Sequence, residues 1–289
     1  MDLNNKYVIP SIGLGTYPYK EALEKSLPFA INKEDVRMID ASDNYGNEEF
    51  VGKGLRNVDL TNIIVVSKFS QPLRTHELES CYEESKKTLG ALNIYLLHWP
   101  YPYLWKKQWR KMEELYLAEK CDAIGVCNFD MGYMKELLSF CRVKPAINQF
   151  ERHPLFQQQE LVDFCHENDI AVMAYSPVAR MDKDLQESEI LKRLSAKYGK
   201  TINQIILRWD IDTGCIPIPA SSSEKHIHEN FSIFDFSLEK EEVKSINSLE
   251  KGKRIRFNPR ARFKTKQRMY FFAYRLKMSL LEIIKKENF

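Results

Sequence analysis

The sequence holds little that would mark a secreted or membrane-embedded chain. Its six cysteines (Cys81, Cys121, Cys127, Cys141, Cys165 and Cys215) are scattered, with no Cys-x-x-Cys pair. In a chain of 289 residues they read as the reduced thiols of a cytoplasmic protein. The opening stretch MDLNNKYVIP has no basic segment followed by an apolar core, so no secretory signal is expected. The longest uncharged run, TLGALNIYLLHWPYPYLW, contains His98, Pro100 and Pro102, which argues against a membrane span. There is no low-complexity segment. Gly13-Leu14-Gly15-Thr16-Tyr17-Pro18 is not a Gly-x-Gly-x-x-Gly turn opening a helix, so the fingerprint of an open dinucleotide-binding sheet is missing. Net charge is only +3, yet residues 251–289 hold thirteen Lys or Arg against two Glu. The body is therefore acidic and the C-terminal stretch basic.

What is present is strict alternation. Apolar runs at 11–17, 37–42, 62–69, 93–99, 122–129, 145–150, 170–177 and 215–221 read as strands, and amphipathic patterns separate them. HELESCYEESKKTLG, WKKQWRKMEELYLAEK, DMGYMKELLSFCR, FQQQELVDFCHEND and TINQIILRWDIDTG carry apolar residues at helical spacing. Gly199 and Thr201 read as the end of one helix and the cap of the next. Eight β/α units without a long linker predict an α/β fold, a single (β/α)8 barrel over residues 1–250 with a basic, aromatic extension over 251–289.

In such a barrel, function gathers at the C-terminal ends of the strands. The predicted strands end near Asp40, Lys68, His98, Asn128, Gln149 and Tyr175, with Tyr45 in the loop after Asp40. Taken singly, these residues have ordinary explanations. An Asp at a strand end is most often a cap or turn former, and a His before Trp-Pro a packed side chain. Lys68 inside IIVVSKF is harder to dismiss, because a lysine in an apolar strand needs a partner. Asp40 supplies one. A phenol beside that ammonium is expected to ionise more readily, and His98 would hydrogen-bond a carbonyl oxygen. Together they form a proton donor poised over a carbonyl, with the hydride left to a cofactor.

IPSIGLGTY, RMIDASDNYGNEEFVGKGL, IIVVSKF, YLLHWP, IGVCNFD, PAINQFERHP, AYSP and IPIPASSSEKHIHEN, in that order, resemble the aldo-keto reductases over nearly the whole chain. The resemblance implies a catalytic tetrad of Asp40, Tyr45, Lys68 and His98, with Tyr45 the general acid in carbonyl reduction. It implies a nicotinamide cofactor held by Gly15, Thr16, Cys127, Asn128, Gln149, Tyr175, Ser176, Ser221, His226, Glu229 and Asn230, and a substrate pocket bordered by Tyr17 and Trp99. No metal is expected, since His226 and His228 at i, i+2 do not share a helix face. Two departures matter. Cys127 stands where the family usually has Ser. Ala220 and His226 stand where a Lys and an Arg usually grip the 2′-phosphate of NADPH, which leaves NADPH expected with NADH or dual use open, and Lys225 as a substitute cation. The short aromatic loop with Tyr101, Tyr103 and Trp105 predicts a pocket open on one side or closed by another segment. The basic tail reads as a lid or as a docking surface for an anionic membrane or a protein; no nucleic-acid module is present. A small carbonyl compound is the expected partner, and a monomer or weak dimer the expected state. The competing reading is a redox-sensing or docking module with little turnover.

Overall fold

The computed structural model describes residues 1–56, 58–256, 258, 269 and 272–280. In chain order the elements are β1 (Leu14–Gly15), α1 (Leu23–Lys33), β2 (Met38–Asp40), α2 (Glu48–Leu55), β3 (Ile64–Phe69), α3 (Leu78–Leu89), β4 (Ile94–Leu97), α4 (Trp105–Leu117), β5 (Ala123–Cys127), α5 (Met131–Phe140), β6 (Ile147–Glu151) and α6 (Gln159–Glu167). They continue as β7 (Ala171–Tyr175), α7 (Lys183–Gln186), α8 (Glu189–Tyr198), α9 (Ile202–Asp212), β8 (Cys215–Ile218), α10 (Glu224–Phe231) and α11 (Lys240–Asn247). The eight strands pair in parallel, each with the next. A parallel bridge between Gly15 and Ala220 joins the last to the first. All eight expected strands form, each shorter than its apolar run, because the ends of those runs turn into the loops that carry polar groups. At the α8–α9 junction Gly199 takes φ +64°, and Thr201 with Gln204 forms a reciprocal capping box, as the sequence predicts.

Strand side chains alternate between two cores, as a pleat requires. Met38, Val66, Leu96, Ile147, Met173 and Ile216 fill the barrel interior, closed below by Leu3 and Ile9. Val126, Phe150 and Val172 point outward to α3–α6, against Trp105, Trp109 and Met112. The helix layer tolerates little change where α2 meets α3. A Cβ on Gly52 would lie 1.9 Å from the Thr88 carbonyl oxygen, so only glycine permits this approach.

Past α11, residues 254–256 cross to the C-terminal rim. The Glu151 carboxylate, fully buried at the end of β6, accepts the backbone N–H groups of Ile255 (2.5 Å) and Arg256 (3.0 Å). Arg254 reaches the same carboxylate at 3.4 Å. Farther on, residues 272–280 are helical. Tyr274, 5% exposed, packs with Tyr101 and Leu104, and Trp99 lies beside them. Lys107 Nζ donates to Tyr274 Oη at 3.0 Å, and Lys277 pairs with Glu77 at 3.1 Å. Tyr270, Phe271, Leu281, Ile283 and Ile284, part of the expected apolar run of the tail, lie outside the described residues. Among the described residues, no helix is long and apolar enough to cross a membrane.

Candidate active site

A cavity of about 590 Å³ opens at the C-terminal ends of the strands. It runs from Tyr45, His98 and Trp99 past Asn128, Gln149 and Tyr175 to Ser221, His226, Glu229 and Asn230. Gly15, Thr16, Tyr17, Asp40 and Ser176 also line it. Two expected residues do not. Lys68 lies beneath the floor, fully buried. Cys127 is turned into the barrel interior with Met38 and Leu96, because the pleat that sends Val126 outward sends Cys127 inward. Burial pushes that thiol's pKa well up.

Short strands aim the charged groups. Asp40 is the last residue of β2 and Lys68 the penultimate residue of β3. Their parallel neighbourhood brings Lys68 Nζ to 2.7 Å from Asp40 Oδ2 and 2.7 Å from the Ala41 carbonyl. Gln149 Nε2 donates to the other Asp40 oxygen at 2.9 Å. Burial alone would lower the pKa of Lys68, but Asp40 and Tyr45 more than offset it, and the ammonium is held charged. It sits 4.9 Å from the centre of the Tyr45 ring. His98 meets that ring edge-on at 5.8 Å and stacks on Trp99 at 5.3 Å.

Lys68 lowers the Tyr45 pKa as expected, but the net shift is upward. Burial dominates and pushes the phenol up to about 12, while Lys68 pulls it back only in part. Tyr45 is therefore a protonated phenol at neutral pH, which is what a proton donor must be.

Several participants carried no signal in the sequence. Ser70 Oγ lies 2.6 Å and Ser42 Oγ 3.0 Å from His98 Nδ1. Asp43 Oδ2 accepts the Ser70 backbone N–H at 3.1 Å, and burial raises the Asp43 carboxyl to about 6. Serines at strand ends are too common to single out. Asn128, just past β5, takes φ +63°, a conformation asparagine tolerates. Its amide donates to the His98 carbonyl at 3.0 Å, and its oxygen accepts from Tyr175 Oη at 2.8 Å. The two expected amides are thus already tied to the charged cluster.

The far end is looser. His226 and Lys225 stand exposed on α10. Lys225 pairs with Glu229 at 3.9 Å and does not itself line the cavity. His228 faces Glu34 at 2.8 Å. The short aromatic loop after His98 does not wall the cavity with Tyr101 or Trp105. Tyr101 turns inward, its hydroxyl donating to the Ser70 carbonyl at 3.0 Å, and Trp105 is buried in the outer core. Neither lines the cavity. Arg180 and Arg256, which no motif flagged, do.

A model of the Aldo/keto reductase family matches residues 11–251. The chain is 37% identical over 264 residues to glyoxal reductase of Bacillus subtilis (strain 168), covering 89% of this chain and 95% of that protein. Among solved structures, an aldo-keto reductase enzyme from a Medee basin deep-sea metagenome library superposes with a TM-score of 0.85 at 35% identity, covering 89% of this chain and 97% of the other. A Bombyx mori aldo-keto reductase in complex with NADP gives a TM-score of 0.81 at 31% identity, over 89% and 94% of the two chains.

Proposed function

The chain belongs to the aldo/keto reductase family and is an NAD(P)H-dependent oxidoreductase of aldehydes or ketones; from that premise we propose that Tyr45, His98, Lys68 and Asp40 carry the proton half of the reaction. The observation that supports this most is the buried Asp40–Lys68 pair, 2.7 Å apart, with its ammonium 4.9 Å from the Tyr45 ring. Tyr45, kept neutral by burial, donates its phenolic proton to the carbonyl oxygen. Lys68 then stabilises the phenolate that remains, and Asp40 keeps Lys68 charged. A hydroxyl donating to His98 Nδ1 leaves the ring proton on Nε2, the tautomer that hydrogen-bonds and polarises the carbonyl. In the oxidative direction the Tyr45 phenolate acts as the base.

A bound nicotinamide cofactor supplies the hydride. The residues fit such a group. The cavity lining combines an amide pair and an aromatic ring with Ser221, which lies just before the first turn of α10, where backbone N–H groups favour phosphate. Asn128 and Gln149 hold the carboxamide and Tyr175 the ring face, with Gly15, Thr16 and Ser176 around them. Ser221, Glu229 and Asn230 hold the adenosine end. With Ala220 and His226 in place of two cations, and Lys225 turned to Glu229, the reading is use of both NADPH and NADH.

The redox-sensing or docking alternative is not favoured. The tail reads as a brace behind the Trp99 wall, since Tyr274 packs there. Cytoplasmic residence and a monomer or weak dimer complete the reading. The test is tryptophan quenching on titration with NADPH and with NADH, followed by turnover of glyoxal. Binding of both cofactors, with turnover abolished in Tyr45→Phe, is the expected result. Binding without turnover on any carbonyl would overturn it.

A further inference from the structure

Of the charged side chains lining the cavity, two arginines stand apart. Asp40 is neutralised by Lys68 and Glu229 by Lys225. Among the described residues, neither Arg180 nor Arg256 has a carboxylate partner. They occupy different places. Arg180 lies in the turn after β7, on the side of Ser176. Arg256 lies on the reaction side: its guanidinium sits 5.2 Å from the centre of the Tyr17 ring, which is 5.1 Å from the Tyr45 ring.

Arg256 is also held in place without using its side chain. The Glu151 carboxylate takes its backbone N–H, and Arg254 supplies the ion pair that docks the segment. Packing therefore does not account for a second guanidinium two residues later. A cation desolvated on one face by an aromatic ring, and unpaired, keeps its five donors available for a planar anion. The surplus positive charge also concentrates anions in a half-enclosed cleft.

We infer that Arg256 is a specificity-determining residue that binds a carboxylate on the substrate, so that the preferred substrates are carbonyl compounds bearing that anion. This rests on the catalytic reading above, because Arg256 is placed relative to Tyr45. Arg180 is left for the cofactor's phosphates.

The test uses the full chain as wild type, Arg256→Gln and Arg256→Lys. The substrates are 2-, 3- and 4-carboxybenzaldehyde and their neutral methyl esters. For the best acid, the ratio of kcat/KM between acid and ester falls about 10- to 100-fold in Arg256→Gln, the size of one charged hydrogen-bonded pair. The loss appears in KM, and Arg256→Lys recovers part of it. An equal loss on acid and ester overturns the inference. So does weaker NADPH binding by tryptophan quenching, which would assign the guanidinium to the cofactor instead. A second measurement does not need turnover: binding of 4-carboxybenzyl alcohol against its methyl ester, to protein loaded with oxidised cofactor. An Arg256-dependent preference for the acid upholds the inference even where no aldehyde is reduced, a result that would defeat only the catalytic reading. Turnover without any acid preference defeats this inference and leaves the catalytic reading standing.

Discussion

At the Tyr45 end of the cavity, Asp40, Lys68 and His98 each have two buried polar partners, whereas at the far end His226 and Lys225 stand exposed on α10. The contrast fits the roles proposed for the two ends. Proton transfer requires charges fixed in a low-dielectric site, because reorganising them would raise the barrier. Binding the distal part of a dinucleotide requires only contacts that water partly screens. Substitution is therefore expected to be costly at one end and tolerated at the other; of the departures from the family pattern, Ala220 and His226 lie at the tolerant end, and Cys127 is buried in the barrel interior.

Perturbing the two ends separately tests this. The largest effect is expected from Tyr45→Phe, which removes the proton and leaves the ring. Turnover falls about 10²- to 10⁴-fold with cofactor binding retained; a smaller loss would mean that another group donates. Next is Lys68→Met, which strands the Asp40 carboxylate in the interior and destabilises the fold by about 3–5 kcal/mol, read by urea denaturation. Adding Asp40→Asn to it recovers part of that loss, since the uncompensated charge goes. At the far end, Ala220→Lys with His226→Arg leaves stability nearly unchanged. It shifts the NADPH-to-NADH ratio of kcat/KM toward NADPH about 10- to 100-fold. No shift would mean that the 2′-phosphate lies elsewhere.

The smallest effect concerns pH. Asp43 is raised from its ordinary 3.8 to about 6 by burial. Between those values the folded state holds more protons than the unfolded chain, so stability from this group is present at low pH and declines as pH rises through 6. The decline is on the order of 1–2 kcal/mol after allowance for partial exposure. Asp43→Asn flattens that part of the stability profile. A slope that survives the substitution assigns it to another carboxylate, with Glu48, also raised by burial, the first to examine.

The frame of the molecule was legible because each strand is an apolar run, buried on both faces, and each run is bounded by polar residues. Asp40, Lys68 and His98 were legible for the same reason: charge inside such a run needs an explanation. What escaped depended on three-dimensional placement. The pKa of Tyr45 moves up because burial outweighs a neighbouring cation, and sequence gives no measure of burial. That Tyr101 and Trp105 turn into core clusters also depends on such placement. Arg256 belongs to the site only because Glu151, 105 positions earlier, fastens the chain across the mouth.

That fastening has an evolutionary consequence. Glu151 grips main-chain amides, which every residue except proline offers at position 256, so the clasp places almost no demand on the side chain displayed there. Substrate taste can then drift while the scaffold stays constant. A library randomised at this one codon would sample new selectivities without first having to solve the folding problem again.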